Sequence, residues 1–452
     1  MSATTSLCSI CLKSIPAKKY AVGTDVFLEK NCPEHGIQKV RIAKDAKRFF
    51  DTTFAVEGKS LHQRQTATQN GCPDDCGYCP KHAQHICTGL VEITNKCNLR
   101  CPICYSVAEN ENGCDISTEE FADRLETLLK AEGGRLDVLQ ISGGEPTLHE
   151  KFGEILEIAV SKNVGRVLVN TNGLKIHEDG NLVRLLEKHK DRAEVYLQFD
   201  GFDDDVYRIL RGKPLLEQKL KTVEMLDNLG IKMSLTATIG RCNLKEIAAI
   251  LDFACKVESI TGITFQRLAA IGRFRETASN DSAYIPVMQE DILYNIGQSG
   301  KMKYDDLIPL PCSHVNCTSI GFLFKTKDGS VRSLSEFVDY RKCKDILSDK
   351  IAFDRSVLES LKQNTCCCFS SKILNCVSFS GDSSLLKELQ EFAQGNGSSH
   401  NGMKMLRILV KNFMDSTTFD AERAQKCCVG VSVGGNRIIP FCVNNIKRTA
   451  ER

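Results

Sequence analysis

The chain of 452 residues has no tryptophan, only 11 prolines and few aromatic residues, 7% in all. No duplex-binding motif joins those few rings to a basic recognition surface, so no specific nucleic acid is an expected partner. An excess of either charge is also missing: 59 Lys+Arg against 57 Asp+Glu leave a formal charge of +2. That balance removes the electrostatic reason to expect a polyanion, although a local basic patch remains compatible with it. No apolar run approaches the roughly 20 residues needed to cross a bilayer, and the polar N-terminus lacks a secretory apolar segment. The expected location is therefore cytoplasmic. No phosphate-binding glycine loop stands in a strand-to-helix context, no repeat of fixed period is evident, and the nine histidines form no acid–base set.

Cysteine, in contrast, is abundant. Twenty-three are present, and they fall in short clusters. Without a secretion signal, closely spaced pairs suit metal better than many separate bridges. Cys114, Cys242, Cys255 and Cys343 stand alone and read as ordinary thiols. Apolar residues at 42% and charged residues at 26% describe a globular chain with enough material for one large domain plus attachments.

Four regions follow along the sequence. Residues 1–60 hold Cys8, Cys11, Cys32 and His35 between short β-like stretches, too little chain for a large core, so a mononuclear metal module is expected there. Residues 61–90 form a cysteine- and proline-rich auxiliary cluster segment. From 91 to 300 strand-like and helix-like segments alternate, with strands expected at 90–94, 137–142, 166–170, 194–199, 232–238 and 262–268. The intervening helices are expected at 117–131, 149–161, 180–188, 213–229 and 243–256. Repeated βα units imply an α/β fold with a parallel sheet and functional loops at the strand C-terminal ends. Residues 301–452 mix a strand at 320–325, a helix near 352–362, a Cys366–Cys368 run, a loop-like stretch up to His400, a helix near 402–413 and a strand-like ending at 438–442.

The most specific pattern is Cys97-Asn-Leu-Arg-Cys101-Pro-Ile-Cys104. Three thiolates so spaced can hold three irons of a [4Fe-4S] cube and leave the fourth open to a chelating molecule. Ser142-Gly-Gly-Glu-Pro146 closes the next strand, where Gly143 and Gly144 permit close backbone approach and Glu145 supplies a carboxylate or orients the strand end. Asn172, Gln198 and Asp200 end later strands, where Asx turns are the plainer reading. Thr236 and Gln266 are further wall candidates, and Tyr105 follows the last cysteine. Upstream, Cys72, Cys76, Cys79 and Cys87 could close around a second cube, with a zinc knuckle as the rival and His82 or His85 as alternative ligands. Cys8, Cys11, Cys32 and His35 suit a tetrahedral zinc or a mononuclear iron. Cys312, Cys317, Cys427 or Cys428, and Cys442 could gather around another auxiliary cluster, with a structural clip as its rival.

On the Cx3CxxC and Gly-Gly-Glu-Pro motifs the sequence resembles radical S-adenosylmethionine (SAM) enzymes. The resemblance implies a partial TIM-type barrel with cysteine-rich N- and C-terminal metal-binding extensions. It assigns Cys97, Cys101 and Cys104 to the redox-active cluster and Tyr105, Gly143, Gly144, Glu145, Asn172, Gln198 and Asp200 to SAM. The order of all the cysteine motifs is similar to the branch that holds the archaeal tetraether lipid synthase and proposed pterin methyltransferases.

That resemblance implies an enzyme with SAM, one radical SAM [4Fe-4S] cluster, two auxiliary [4Fe-4S] clusters and one mononuclear zinc or iron. The reaction expected is C–C bond formation or alkyl modification of a hydrophobic, lipid-like substrate through a 5′-deoxyadenosyl radical. Methyl transfer to a reduced pterin or another small molecule is the alternative, and a non-enzymatic metal scaffold a third. A low-potential electron donor such as ferredoxin or flavodoxin is the expected partner, with peripheral membrane contact if the substrate is a lipid.

Overall fold

In the computed structural model, residues 1–109, 113–274, 286–351, 388, 392, 399–400 and 402–450 are described. Strands β1 (Ser2–Leu7), β2 (Ser14–Val22), β3 (Asp25–Cys32) and β4 (Gly36–Ala43) form an antiparallel meander. Six strands then run parallel: β5 (Thr88–Thr94), β6 (Leu136–Gly143), β7 (Val164–Thr171), β8 (Ala193–Gln198), β9 (Met233–Ile239) and β10 (Ile260–Arg267). Helices α2 (Thr118–Ala131), α3 (Phe152–Ser161), α4 (Gly180–Lys188), α5 (Asp204–Arg211), α6 (Leu216–Asn228) and α7 (Ile247–Lys256) lie between them, after the short α1 (Ala46–Phe50). Side chains start several of these helices by accepting an otherwise orphaned N–H: Ser117 from Glu120 at 3.1 Å, Asp179 from Asn181 at 2.9 Å, Asp203 from Asp205 at 2.9 Å.

Period-two alternation divides the sheet into two faces. Val91, Ile93, Leu139, Ile141, Val167, Val169, Val195 and Leu197 are buried in one core with Phe121, Leu125, Ile155, Leu226 and Ile250 of the helices. Each such side chain contributes roughly 1.5–3 kcal/mol when fully buried. The alternate positions, including Gln140, Asn170, Tyr196, Gln198, Thr236 and Gln266, line a cavity on the other face. The helices thus take the apolar face and leave a polar one free for a ligand.

The C-terminal region enters the same sheet. Strand β15 (Met403–Lys411) pairs in parallel with β10, and β12 (Thr318–Lys325) runs antiparallel to β15, followed by β11 (Ile308–Pro309). On the opposite edge β16 (Val429–Gly434) pairs in parallel with β5 and antiparallel with β17 (Arg437–Pro440). The short β13 (Val331–Ser333) and β14 (Ser399–His400) pair with β12 and β15. Among the described residues β11 and β17 are the two edges of one 13-stranded sheet, which is open rather than closed into a barrel.

Two expectations are corrected. Residues near 402–413 form β15 rather than a helix: the apolar run Met403–Lys411 sits between two strands, and the two-sided burial it obtains there outweighs helical propensity. Cys442 lies on the helix Phe441–Ala450, because β17 ends at Pro440. The helix expected at 352–362 and the thiols Cys366–Cys368 lie outside the described residues.

The N-terminal meander is tied to the C-terminal segment. Thr4 Oγ1 donates to Asp420 at 2.6 Å, Ser6 Oγ to the Phe419 carbonyl at 2.6 Å, and buried Lys30 Nζ to the carbonyls of Ser416 and Thr417 at 2.9 and 3.0 Å. No helix among the described residues is long and apolar enough to cross a membrane.

Candidate active site and metal centres

Cys97, Cys101 and Cys104 occupy the loop after β5 and line a cavity of about 220 Å³, large enough for several waters. Backbone N–H groups of Leu99 and Ala108 point at the sulfurs of Cys97 and Cys104, each at 3.4 Å. Burial pushes the Cys97 thiol up to about 12, so a metal would have to supply the energy of deprotonation. The three sulfurs are not gathered around one point as ligands of a single ion are. That separation fits a cube, where each sulfur serves a different iron.

The end of β6 closes on this loop. Gly144 N donates to the Thr94 carbonyl at 2.7 Å and Glu145 N to that of Lys96 at 2.8 Å. A Cβ at Gly143, whose φ is +137°, would stand 2.1 Å from the Thr94 oxygen, and one at Gly144 2.1 Å from the Lys96 oxygen. Only glycine allows the approach. Glu145 is buried with its carboxylate fully engaged: it accepts from Thr147 Oγ1, Thr171 Oγ1 and Asn172 N, each at 2.7 Å. These bonds orient the ends of β6 and β7, and Glu145 also lines the cavity. Asn172 Nδ2 donates to Asn98 Oδ1 at 2.7 Å and its Oδ1 accepts from Leu174 N at 3.0 Å, an Asx turn that also reaches the cysteine loop.

Asp200 does not line the cavity. It is fully buried and gripped by Arg211, Nε to Oδ2 at 2.7 Å and Nη2 to Oδ1 at 2.8 Å. Arg211 is the residue that reaches the cavity wall, which it shares with Cys101, and the next residue, Gly212, stands against the neighbours of Cys101: a Cβ there would lie 3.8 Å from the Arg100 oxygen and 3.9 Å from Pro102 Cδ. Gln198 accepts from Lys219 Nζ at 2.7 Å, and Lys219 also donates to the Asn172 carbonyl. Burial lowers Lys219 to about 7, against the pull of Asp200. Arg211 and Lys219 were not expected from the sequence; the Asp203 cap and the left-handed Gly212 that bound α5 were the available signal. Thr236, Gln266 and Tyr105 line the cavity, and Tyr105 packs edge-on against Phe441 at 5.6 Å.

Cys8, Cys11, Cys32 and His35 converge within 4.8 Å of one another. Cys11 and Cys32 sulfurs are 3.8 Å apart, and His35 Nδ1 stands 3.6 and 3.5 Å from Cys8 and Cys32. A tetrahedron with metal–sulfur bonds of 2.3 Å has edges of about 3.8 Å, and about 3.6 Å toward nitrogen. The set therefore fits zinc or a mononuclear iron. Gln38 Nε2 donates to Cys8 at 3.1 Å. Although burial opposes it, the backbone N–H groups of Cys11 and Ile10 with Gln38 bring Cys8 down to about 6.

The other cysteines regroup in part: Cys312 meets Cys428, as the C-terminal set anticipated, but Cys87 joins them. Cys87 leaves Cys72, Cys76 and Cys79 and lies with Cys312 and Cys428, all buried, its sulfur 2.8 Å from that of Cys312. The cause is topological: β5 follows Cys87 and pairs with β16, which follows Cys428. Burial pushes the Cys87 and Cys312 thiols up, while Cys428, accepting from both, is held well below its usual range. Cys317, Cys427 and Cys442 line the main cavity. Cys72, Cys76 and Cys79 line a small separate hollow. His82 and His85 are both hydrogen-bonded, and His85 Nε2 also stands 3.4 Å from the Cys87 sulfur. His82 Nε2 donates to the Cys427 carbonyl at 2.9 Å; His85 bonds Glu132 through Nδ1 at 2.8 Å and the Asp349 carbonyl through Nε2 at 3.0 Å.

Residues 91–254 match the family model of the Radical SAM superfamily, and residues 1–44 that of the HMPTM N-terminal zinc ribbon domain. The chain is 28% identical to 7,8-dihydro-6-hydroxymethylpterin dimethyltransferase of Methanocaldococcus jannaschii, across 98% of this chain and 93% of that protein. It is 30% identical to the antilisterial bacteriocin subtilosin biosynthesis protein AlbA of Bacillus subtilis, across 48% of this chain and 46% of that protein. Among solved structures it is similar to SuiB of Streptococcus suis bound to the precursor peptide SuiA, with a TM-score of 0.40 and 16% identity over 47% of this chain and 45% of that one.

Proposed function

The chain belongs to the radical SAM superfamily, and from that premise we propose that it alkylates a carbon of a polar small molecule of the reduced-pterin kind, with its redox-active cluster on Cys97, Cys101 and Cys104. The observation that carries this reading is the inner cavity wall. Asn170 Oδ1, Thr236 Oγ1 and Ser313 Oγ have no hydrogen-bond partner among the described residues, and all three residues line the cavity. A buried acceptor left unmade costs about 1–3 kcal/mol, so a ligand bearing N–H or O–H groups is favoured there and a bare hydrocarbon is not. The full-length similarity to a pterin dimethyltransferase supports the same substrate class.

When bound, the cluster and SAM supply radical chemistry able to act on an unactivated C–H bond. The chain's own residues fix the geometry around them. Gly143 and Gly144 bring the β6 end against the cysteine loop, Glu145 locks β6 to β7, and Lys219 orients Gln198 and Asn172. Leu268, Ile271, Phe413 and Phe441 line another part of the cavity and restrict water. That apolar part is what favours the second reading, coupling or alkylation of a hydrophobic chain. The remaining metal assignments proposed are zinc at Cys8, Cys11, Cys32 and His35, one auxiliary centre at Cys87, Cys312 and Cys428, and another at Cys72, Cys76 and Cys79. A low-potential ferredoxin or flavodoxin would supply electrons.

The test is anaerobic turnover with reduced pterins and a lipid extract in parallel, using isotopically labelled SAM and mass spectrometry. A labelled or otherwise enlarged pterin with unchanged lipid supports the proposal; coupled or alkylated lipid with unchanged pterin reverses it.

A further inference from the structure

We propose that Arg211 is a positioning residue for the redox-active cluster, held by Asp200 so that its guanidinium rests on the Cys101 sulfur and sets the cluster's reduction potential. The inference rests on the assignment of that cluster to Cys97, Cys101 and Cys104.

The geometry is over-determined. α5 starts at the Asp203 cap and stops at Gly212, where φ is +83°, which makes Arg211 its last residue. From there the fork meets Asp200 with two bonds, 2.7 and 2.8 Å, and Nη2 also donates to Thr238 Oγ1 at 3.1 Å. Asp200 is fixed in turn by Thr238 N, which donates to Oδ1 at 3.0 Å, and its carbonyl accepts from Asn243 Nδ2 at 3.0 Å. A bidentate arginine fork has little rotational freedom, so the face of the guanidinium turned to Cys101 is held in place.

The ion pair looks at first like structural glue. Arg211, however, lines the cavity alongside Cys101, and Asp200 does not. The pair is therefore lopsided: its positive member borders the cavity that Cys101 lines and its negative member lies behind it, so that of their opposed effects on Cys101 that of Arg211 is the larger. A positive charge and an N–H donor at a cluster thiolate favour the reduced, more negative cluster and raise its potential. Nearby Lys219 lies between Gln198 and the Asn172 carbonyl, close enough to Asp200 and Arg211 to feel both charges.

The experiment uses anaerobically reconstituted full-length enzyme. EPR follows the reduced cluster whose signal changes on adding SAM, during potentiometric titration of wild type, Arg211→Gln and Arg211→Lys, with iron and sulfide content measured in each. The expected result is a midpoint shifted to more negative potential in R211Q, with R211K closer to wild type because it keeps the charge. An unchanged midpoint in R211Q, or equal shifts in both variants, overturns the proposal. If R211Q assembles no cluster, wild-type enzyme labelled with ¹⁵N-arginine decides: a ¹⁵N hyperfine coupling at the SAM-responsive cluster that disappears in R211K supports it, and no coupling overturns it. Wild type lacking any SAM-responsive signal would reject the underlying cluster assignment instead.

Discussion

Lys19 of the N-terminal meander reaches Asp420 of the C-terminal segment at 2.8 Å, with both side chains 4% exposed. Glu422 approaches the same ammonium at 2.6 Å from a more exposed position. The two ends of the chain are thus joined by a charge pair that water cannot readily replace. Removing one partner of such a pair strands the other and typically costs 3–5 kcal/mol, whereas replacing both by apolar groups is often close to neutral. Lys19→Met should therefore lower stability by about 3 kcal/mol, and adding Asp420→Leu should not recover that loss, because Asp420 also accepts from Thr4 Oγ1 at 2.6 Å and from Glu422 N at 3.1 Å. Denaturant unfolding of the wild type and the two variants measures it.

The glycines at the β6 end give a second expectation. Gly144→Ala places a methyl 2.1 Å from the Lys96 oxygen, so the strand end and the cysteine loop must part. SAM affinity should fall at least tenfold, while the fold, read by circular dichroism, is retained. Calorimetric titration with SAM checks it; an unchanged affinity would show that this close approach does not shape the cofactor site.

Acid should unfold the protein through carboxylates held ionised in its interior. Glu194 is buried, accepts from Arg166 at 2.6 Å and from Thr261 at 2.8 Å, and titrates below its usual range because these partners, with Arg407 and Ser234, outweigh the burial that opposes them. Its unfolded form protonates first as pH falls. The stability it contributes is complete above its unfolded pKa of about 4.3 and is lost progressively below that value. Glu194→Gln should cost about 3 kcal/mol at pH 7, the low end for a buried pair since Arg166 is partly exposed. The variant should also lose stability less steeply than wild type below pH 4.5. Urea midpoints across a pH series test both statements.

The N-terminal site predicts its own spectrum. X-ray absorption at the zinc edge should give three sulfurs near 2.3 Å and one nitrogen near 2.0–2.1 Å. Cys32→Ala should release that metal, while Cys87→Ala should leave it bound and reduce the iron content instead. An edge showing four sulfurs would remove His35 from the site.

Much of this arrangement was legible from local spacing. The Cx3CxxC loop, the glycines of β6 and the alternating βα segments each depend on neighbours in sequence, and the parallel strands lie where the apolar runs placed them. The cysteine groupings were not legible in the same way. Cys87 meets Cys312 and Cys428 only because β16 pairs with β5 and a C-terminal strand pairs with β10, which no short motif records. Asp200 ends a strand as a cofactor ligand would, yet its partner Arg211 is one of many cations on amphipathic helices, and sequence cannot tell which of them turns inward. Met403–Lys411 reads as helix or strand by its apolar spacing alone, and the open edge of β10 decides.

The central claim is that Cys97, Cys101 and Cys104 together carry the radical chemistry. The measurement is methionine and 5′-deoxyadenosine formed from SAM by anaerobically reconstituted, chemically reduced enzyme, compared with the variant in which all three cysteines are alanine. The account predicts cleavage well above background in the wild type and none above background in the variant, with the N-terminal metal retained in both. Equal cleavage in the two would contradict it.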